Sequence, residues 1–223
     1  ESGIPREEFF ITSKVWRDRL GYEAAMEEFE TSLKKLGTDY LDLYLIHWPR
    51  PFDLNAEWKD LDVETWKALE ELYRAGRVRA IGVSNFLPHH LNNLMERTGI
   101  VPLVNQLEFH PGYIQKAAVD FSQRLGIQVE AWSPIGRARV LKEPLLLELA
   151  EKYQVSEAQI CIRFALQCGV LPLPKSSSAV RMRQNLDVFD FQIEDDDMHR
   201  LMTLPQIGWS GEHPDRETVP PEA

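Results

Sequence analysis

Six β-rich segments, each followed by a stretch with helical periodicity and none separated by an obvious linker, constrain what this 223-residue chain can fold into. The strand segments read as Phe9–Lys14, Leu41–His47, Val78–Asn85, Leu103–Phe109, Ile127–Ser133 and Val170–Lys175. Between and after them, Gly21–Gly37, Glu64–Ala75, Pro88–Arg97, Ile114–Leu125, Glu143–Tyr153, Ser156–Gln167, Ser178–Asn185 and Glu194–Leu204 read as helices. Gly37 fits a C-cap, and Ser156 with Gln159 has the spacing of a capping box. Alternation of this kind predicts a parallel α/β architecture.

Lys14, His47, Ser84 with Asn85, Gln106 with Glu108, Ser133, and Lys175 with Ser176 all fall at or near the C-terminal ends of successive strands. In a (β/α) barrel those ends ring one face, where such enzymes do their chemistry. An open doubly wound sheet would gather only the strands beside its switch point. Neither GxGxxG nor GxxxxGK[ST] occurs, which removes the usual phosphate loops of open sheets. The expected fold is therefore a (β/α)8 TIM barrel, with about six of its eight strands in this chain. Residues 1–204 form the expected barrel domain, incomplete at its N-terminal side, and 205–223 an irregular tail.

The net charge of −10 argues against nucleic acid as a partner. No apolar run reaches 18 residues, so no membrane span is expected, and the chain reads as a cytoplasmic monomer. Cys161 and Cys168 sit seven apart on one predicted helix, roughly 10 Å along its axis, too far for a disulfide. His89, His90, His199 and His213 show no metal-ligand arrangement, and no metal is expected.

The segment LDLYLIHWP places Leu41, Leu43, Leu45 and His47 on one face and Asp42, Tyr44 and Ile46 on the other. Trp48-Pro49 then stops the strand, leaving His47 where strand opens into loop. Together with FFITSKVW, GVSNF, NQLEFHP, AWSPIG and LPKSSSAVRMRQN, this segment resembles, in order and from Phe9 to about Leu204, the successive signatures of the aldo-keto reductases. The resemblance implies NADP(H)-dependent transfer of hydride to or from the carbonyl of an aldehyde or ketone. Lys14 and His47 match the lysine and histidine of the family's Asp/Tyr/Lys/His tetrad. An ammonium beside a tyrosine stabilises phenolate and lowers its pKa, while a histidine can orient and polarise the carbonyl.

By the same resemblance, Ser84, Asn85 and Gln106 hold the nicotinamide carboxamide, Trp132 stacks on its ring, and Ser133 and Ile135 line the pyrophosphate. Lys175 and Ser176 lead into a short helix on which Arg181 and Asn185 share a face. Cations beside free N–H groups at a helix start make an anion site, where the resemblance places the adenosine 2′-phosphate on Lys175 and Arg181, with Asn185 near the adenine. Trp16 and Trp48 become walls of the substrate pocket. Trp209 reads as a packed or exposed tail residue.

Only thirteen residues precede Lys14, with no Tyr and no Asp among them, so half the tetrad has no matching position. Tyr44 points away from the His47 face. The natural protein is expected to begin some tens of residues earlier. A non-catalytic, NADP(H)-binding relative acting as a sensor or interaction module is the alternative, and a different TIM-barrel lyase or isomerase a third reading.

Overall fold

The computed structural model describes residues 3–52 and 57–216. Residues 53–56, and 217–223 of the expected tail, lie outside the described residues. Strands β1 (Thr12–Val15), β2 (Leu41–Ile46), β3 (Val78–Ser84), β4 (Val104–Glu108), β5 (Gln128–Trp132) and β6 (Leu171–Pro172) alternate with helices. The helices are α1 (Tyr22–Leu36), α2 (Trp58–Arg74), α3 (Pro88–Met95), α4 (Lys116–Arg124), α5 (Pro144–Tyr153), α6 (Glu157–Gln167), α7 (Ala179–Leu186) and α8 (Asp195–Met202). The strand order is β1-β2-β3-β4-β5-β6, with no reversal. A switch point requires a reversal, so the order is that of a barrel wall and not of a doubly wound sheet.

The chain divides into two compact units, and the division falls inside β4. The first comprises Glu1–Asn105, Leu125–Ile127 and His213–Ala223. Here β1, β2 and β3 pair in parallel, with Lys14 opposite Leu45 and Leu45 opposite Gly82. All six residues of β2 are buried, as a parallel strand covered on both faces requires. Asp42 therefore needs partners. It accepts from Arg6 at 2.9 Å, Arg79 at 3.0 Å and the Ile11 N–H at 2.9 Å. From α1, Ala25, Phe29 and Leu33 enter the core, and Gly37 closes the helix in the left-handed conformation at φ 65°. Leu36, beside the C-cap, is exposed.

The second unit comprises Gln106–Arg124 and Gln128–Glu212. Leu107, Val129, Ala131, Leu146, Leu149, Ile160 and Phe164 form its core, with Phe109 stacked on Phe164 at 5.6 Å. The Ser156 capping box is present: Oγ accepts the Gln159 N–H at 3.3 Å, and Gln159 Oε1 accepts the Ser156 N–H at 3.0 Å.

Three boundaries differ from the sequence reading by three or more residues. The first strand begins at Thr12, because Phe9 and Phe10 are exposed and the Ile11 N–H goes to Asp42. The second helix begins at Trp58, six residues before Glu64, since buried Asp62 and Thr65 interrupt its apolar pattern. The sixth strand is only Leu171–Pro172, because Pro172 and Pro174 have no N–H to donate.

Candidate active site

In the first unit, Lys14 lies on β1 and His47 directly follows β2, with the His47 N–H bonded to Val15 O at 3.0 Å. Burial, then the charges of Lys14 and Arg17, hold the His47 pKa down to about 3, so the ring is neutral. Trp16 meets the imidazole edge-on at 4.5 Å and Phe52 lies 6.1 Å from Trp16. Trp48 is buried beneath Arg17, whose guanidinium carbon sits 4.3 Å from the indole centre. Arg17 had no role in the sequence reading. Its position directly after Trp16 was the only signal, and periodicity cannot show that a loop arginine turns inward.

At the end of β3, Ser84 and Asn85 are buried. Asn85 takes a left-handed φ of 64°, and its Nδ2 donates to His47 O at 3.0 Å and to Ser84 Oγ at 3.2 Å. The asparagine thus ties the end of one strand to the histidine at the end of the next. Tyr44 faces the other way: its ring packs on Phe29 at 5.2 Å and its hydroxyl is buried without a partner. Burial raises its pKa, which unsuits it to give a proton at neutral pH.

In the second unit, Gln106 on β4 donates through Nε2 to the buried carboxylate of Glu130 at 2.8 Å. Glu130 was not anticipated, because it lies on a different strand. Trp132 ends β5 half-buried, with the Arg137 guanidinium carbon 5.6 Å from its ring. Ser133 (φ 50°), Gly136 (55°), Arg137 (52°) and Ala138 (65°) are all left-handed, a run of strained backbone just after the strand. Ile135 lies within this run. Ser176 Oγ accepts from the Ser178 N–H at 3.2 Å and from Arg181 Nε at 3.4 Å, and Ser178 caps α7. Lys175 and Arg181 are exposed and Asn185 is half-buried. Trp209 stacks on Tyr113 at 5.9 Å and donates to Glu212 O, a packed tail residue. The tail is also held by buried Glu108, which accepts from the Ser210 N–H at 3.0 Å and the Ser210 hydroxyl at 2.7 Å.

The family model for the aldo/keto reductases matches residues 2–204. The chain belongs to the aldo/keto reductase family. It is 49% identical over 215 residues to the uncharacterized oxidoreductase YtbE of Bacillus subtilis, covering 96% of this chain and 74% of that one. It is 47% identical over 215 residues to the glyoxal reductase of the same organism, covering 96% and 75%. Among solved structures, a Gox0644 mutant in complex with NADPH superposes with a TM-score of 0.88 at 41% identity, covering 96% of this chain and 77% of that one. The Bombyx mori aldo-keto reductase in complex with NADP gives 0.80 at 37% identity, covering 89% and 68%. Membership in this family accounts for the sequential parallel strand order. No helix among the described residues is long and apolar enough to cross a membrane.

Proposed function

We propose that this aldo/keto reductase transfers hydride between NADP(H) and the carbonyl carbon of an aldehyde or ketone. The observation that carries the reading is a half-buried His47, its pKa held down by burial and by the Lys14 charge, at neighbouring strand ends. A neutral imidazole donates one hydrogen bond to a carbonyl oxygen without carrying a charge into an apolar pocket, and Lys14 adds positive potential where negative charge develops. Trp16 and Trp48 wall that pocket. Relatives crystallised with NADPH and NADP support the cofactor.

The second unit offers features that fit such a cofactor. Trp132 offers a half-exposed ring for the nicotinamide, and Gln106 matches a carboxamide position; in the first unit, Ser84 and Asn85 match carboxamide positions of the family. Ser133 has strained, left-handed backbone of the sort that clusters at ligand clamps, and Ile135 lies two residues on. Lys175, Ser176 and Arg181, with the start of α7, suit a 2′-phosphate, and Asn185 suits the adenine. NADPH supplies the hydride when bound; the residues named here bind, orient and polarise. Tyr44 is not proposed as the proton donor, and the tetrad's tyrosine and aspartate are assigned to no residue in 1–223.

Titration by tryptophan fluorescence tests the cofactor reading. NADPH should bind more tightly than NADH, by about 1.5–3 kcal/mol for each charge-assisted phosphate contact, and Arg181→Ala should shrink that preference. Equal affinities, or no effect of the substitution, would remove Lys175 and Arg181 from the assignment. NADPH-dependent turnover of nitrobenzaldehyde separates an enzyme from a cofactor-binding sensor.

A further inference from the structure

Asp62 on α2 is fully buried, and neither carboxylate oxygen has a hydrogen-bond partner. Buried carboxyls are nearly always paired, so such a group calls for an explanation. One turn earlier on the same face of the helix is Trp58, also buried. Over the Trp58 ring, at 4.5 Å, lies the guanidinium of Arg50, three residues beyond His47. Arg50 is committed elsewhere: its Nη2 sits 2.9 Å from Asp215 Oδ1, while its Nε is buried and unpartnered.

Asp215 belongs to a turn near the C-terminus, in which its N–H donates to His213 Nδ1 at 3.1 Å and the Arg216 N–H donates to His213 O at 3.2 Å. The same Oδ1 lies 3.2 Å from His89 Nε2 and 3.1 Å from His90 Nε2, the latter off the line of a good hydrogen bond. Two histidines and an aspartate this close resemble a metal site. However, His90 Nδ1 accepts the Leu87 N–H at 3.1 Å, so the ring proton is on Nε2, the atom that would have to ligate.

We propose that Arg50 is a two-position latch: docked, it holds the C-terminal turn through Asp215, and undocked, it turns one helical step along α2 to pair with Asp62. Arg50 is already the one charge acting favourably on the Asp62 carboxylate, against the burial that pushes its pKa well up. Docked, Asp62 is therefore a neutral acid. Undocked, its proton goes to solvent and the carboxylate pairs with Arg50. The docked state holds one more proton, so raising the pH favours release, by about tenfold per pH unit between the pKa of the Arg50-paired carboxylate and the elevated docked pKa, and levels off beyond the latter. At the acid end, docking is lost as pH falls through the Asp215 pKa, which His90 first, with His89 and Arg50, holds far down against burial. The other charged groups at this face are Lys59, 5.7 Å from the Trp58 ring, the exposed pair Asp60–Arg97, and His213 on the turn.

Hydrogen-exchange protection of the Asp215 and Arg216 amides, corrected for intrinsic rates, reads the latch without cofactor or turnover, so it stands apart from the catalytic reading. In the wild type, protection should fall as pH rises. Asp62→Asn, a neutral isostere, should keep the turn protected at every pH above the Asp215 pKa. Asp215→Asn should lose protection about tenfold or more, the scale of one charge-assisted hydrogen bond, without pH dependence. An Asp62→Asn protein that follows the wild-type pH curve, or an Asp215→Asn protein with intact protection, overturns the proposal. Should Asp62→Asn fail to fold, the infrared carbonyl band of a buried neutral carboxyl decides. It should be present in the wild type when docked and vanish with protection, and its absence when docked overturns the latch.

Discussion

His47 illustrates how one residue's surroundings fix its chemistry. A backbone bond to Val15, an edge-on Trp16 and burial hold the ring, while Asn85 holds its carbonyl. With its pKa lowered to about 3, the ring should contribute no ionisation to a pH–rate profile through the neutral range. His47→Ala should lower carbonyl turnover by about 10²- to 10³-fold, as loss of one preorganised donor does elsewhere, and leave NADPH affinity nearly unchanged. Steady-state kinetics beside a binding titration check this. If cofactor binding is lost while turnover per bound cofactor survives, His47 is a core residue only. Strand alternation made the position of His47 legible, since the leucine row 41, 43, 45 ends on it. Its neutrality was not legible, because that depends on Arg17 and on burial by other elements.

Elements were legible where local chemistry agrees with tertiary demand. The α6 cap is the clear case: Ser156 and Gln159 satisfy each other's orphan N–H groups without help from elsewhere. Ser156→Ala should therefore cost about 0.5–2 kcal/mol, measured by urea unfolding with an unchanged m-value. A neutral result would mean that the first turn of α6 is held by packing alone. Elements were misread where tertiary partners override pattern. Thr65 looks polar in sequence, yet it bonds Leu61 O at 2.7 Å and takes the Gly21 N–H at 2.7 Å, and so sits on the buried face of α2. At the sixth strand the two prolines were visible in sequence. Their cost to the ladder was not allowed for, and only Leu173 N–H to Ala131 O extends it.

At the scale of the whole molecule, each unit carries its own acid sensitivity. Burial raises the pKa of Asp42, but the Ile11 N–H, Arg6 and Arg79 outweigh it and the net shift is downward. Burial likewise raises that of Asp197, and Lys152, Tyr153 and Arg200 outweigh it. A depressed carboxylate stabilises above its unfolded pKa and loses that contribution as pH falls through the folded value. His47 and His90, held to about 3 and about 4, act in the same direction, because unfolding in acid lets them take up protons. Thermal midpoints should fall steadily from neutral pH into acid. Asp42→Asn and Asp197→Asn should each be less stable than wild type at neutral pH, with the gap closing in acid. A constant gap would show that shape, and not charge, is what these residues supply. The sequential parallel order could be anticipated from alternation alone. The pairs Asp42–Arg79 and Asp197–Lys152 could not, because their partners lie 37 and 45 residues apart.

The segment from Pro205 to Arg216 has no regular structure, yet it is fixed at a few points. Ser210 is held by Glu108 and Asp215 by Arg50. Gly208 lies so close to Val140 and His110 that a Cβ there would stand 2.4 and 3.1 Å from their side chains. Between these anchors the backbone owes nothing to a ladder or a helix. Over evolutionary time, residues such as Gln206 can be exchanged, or the spans between anchors lengthened, without disturbing the strands that carry Lys14 and His47. A lineage can thus try new surfaces on the tail while its inherited chemistry stays in place.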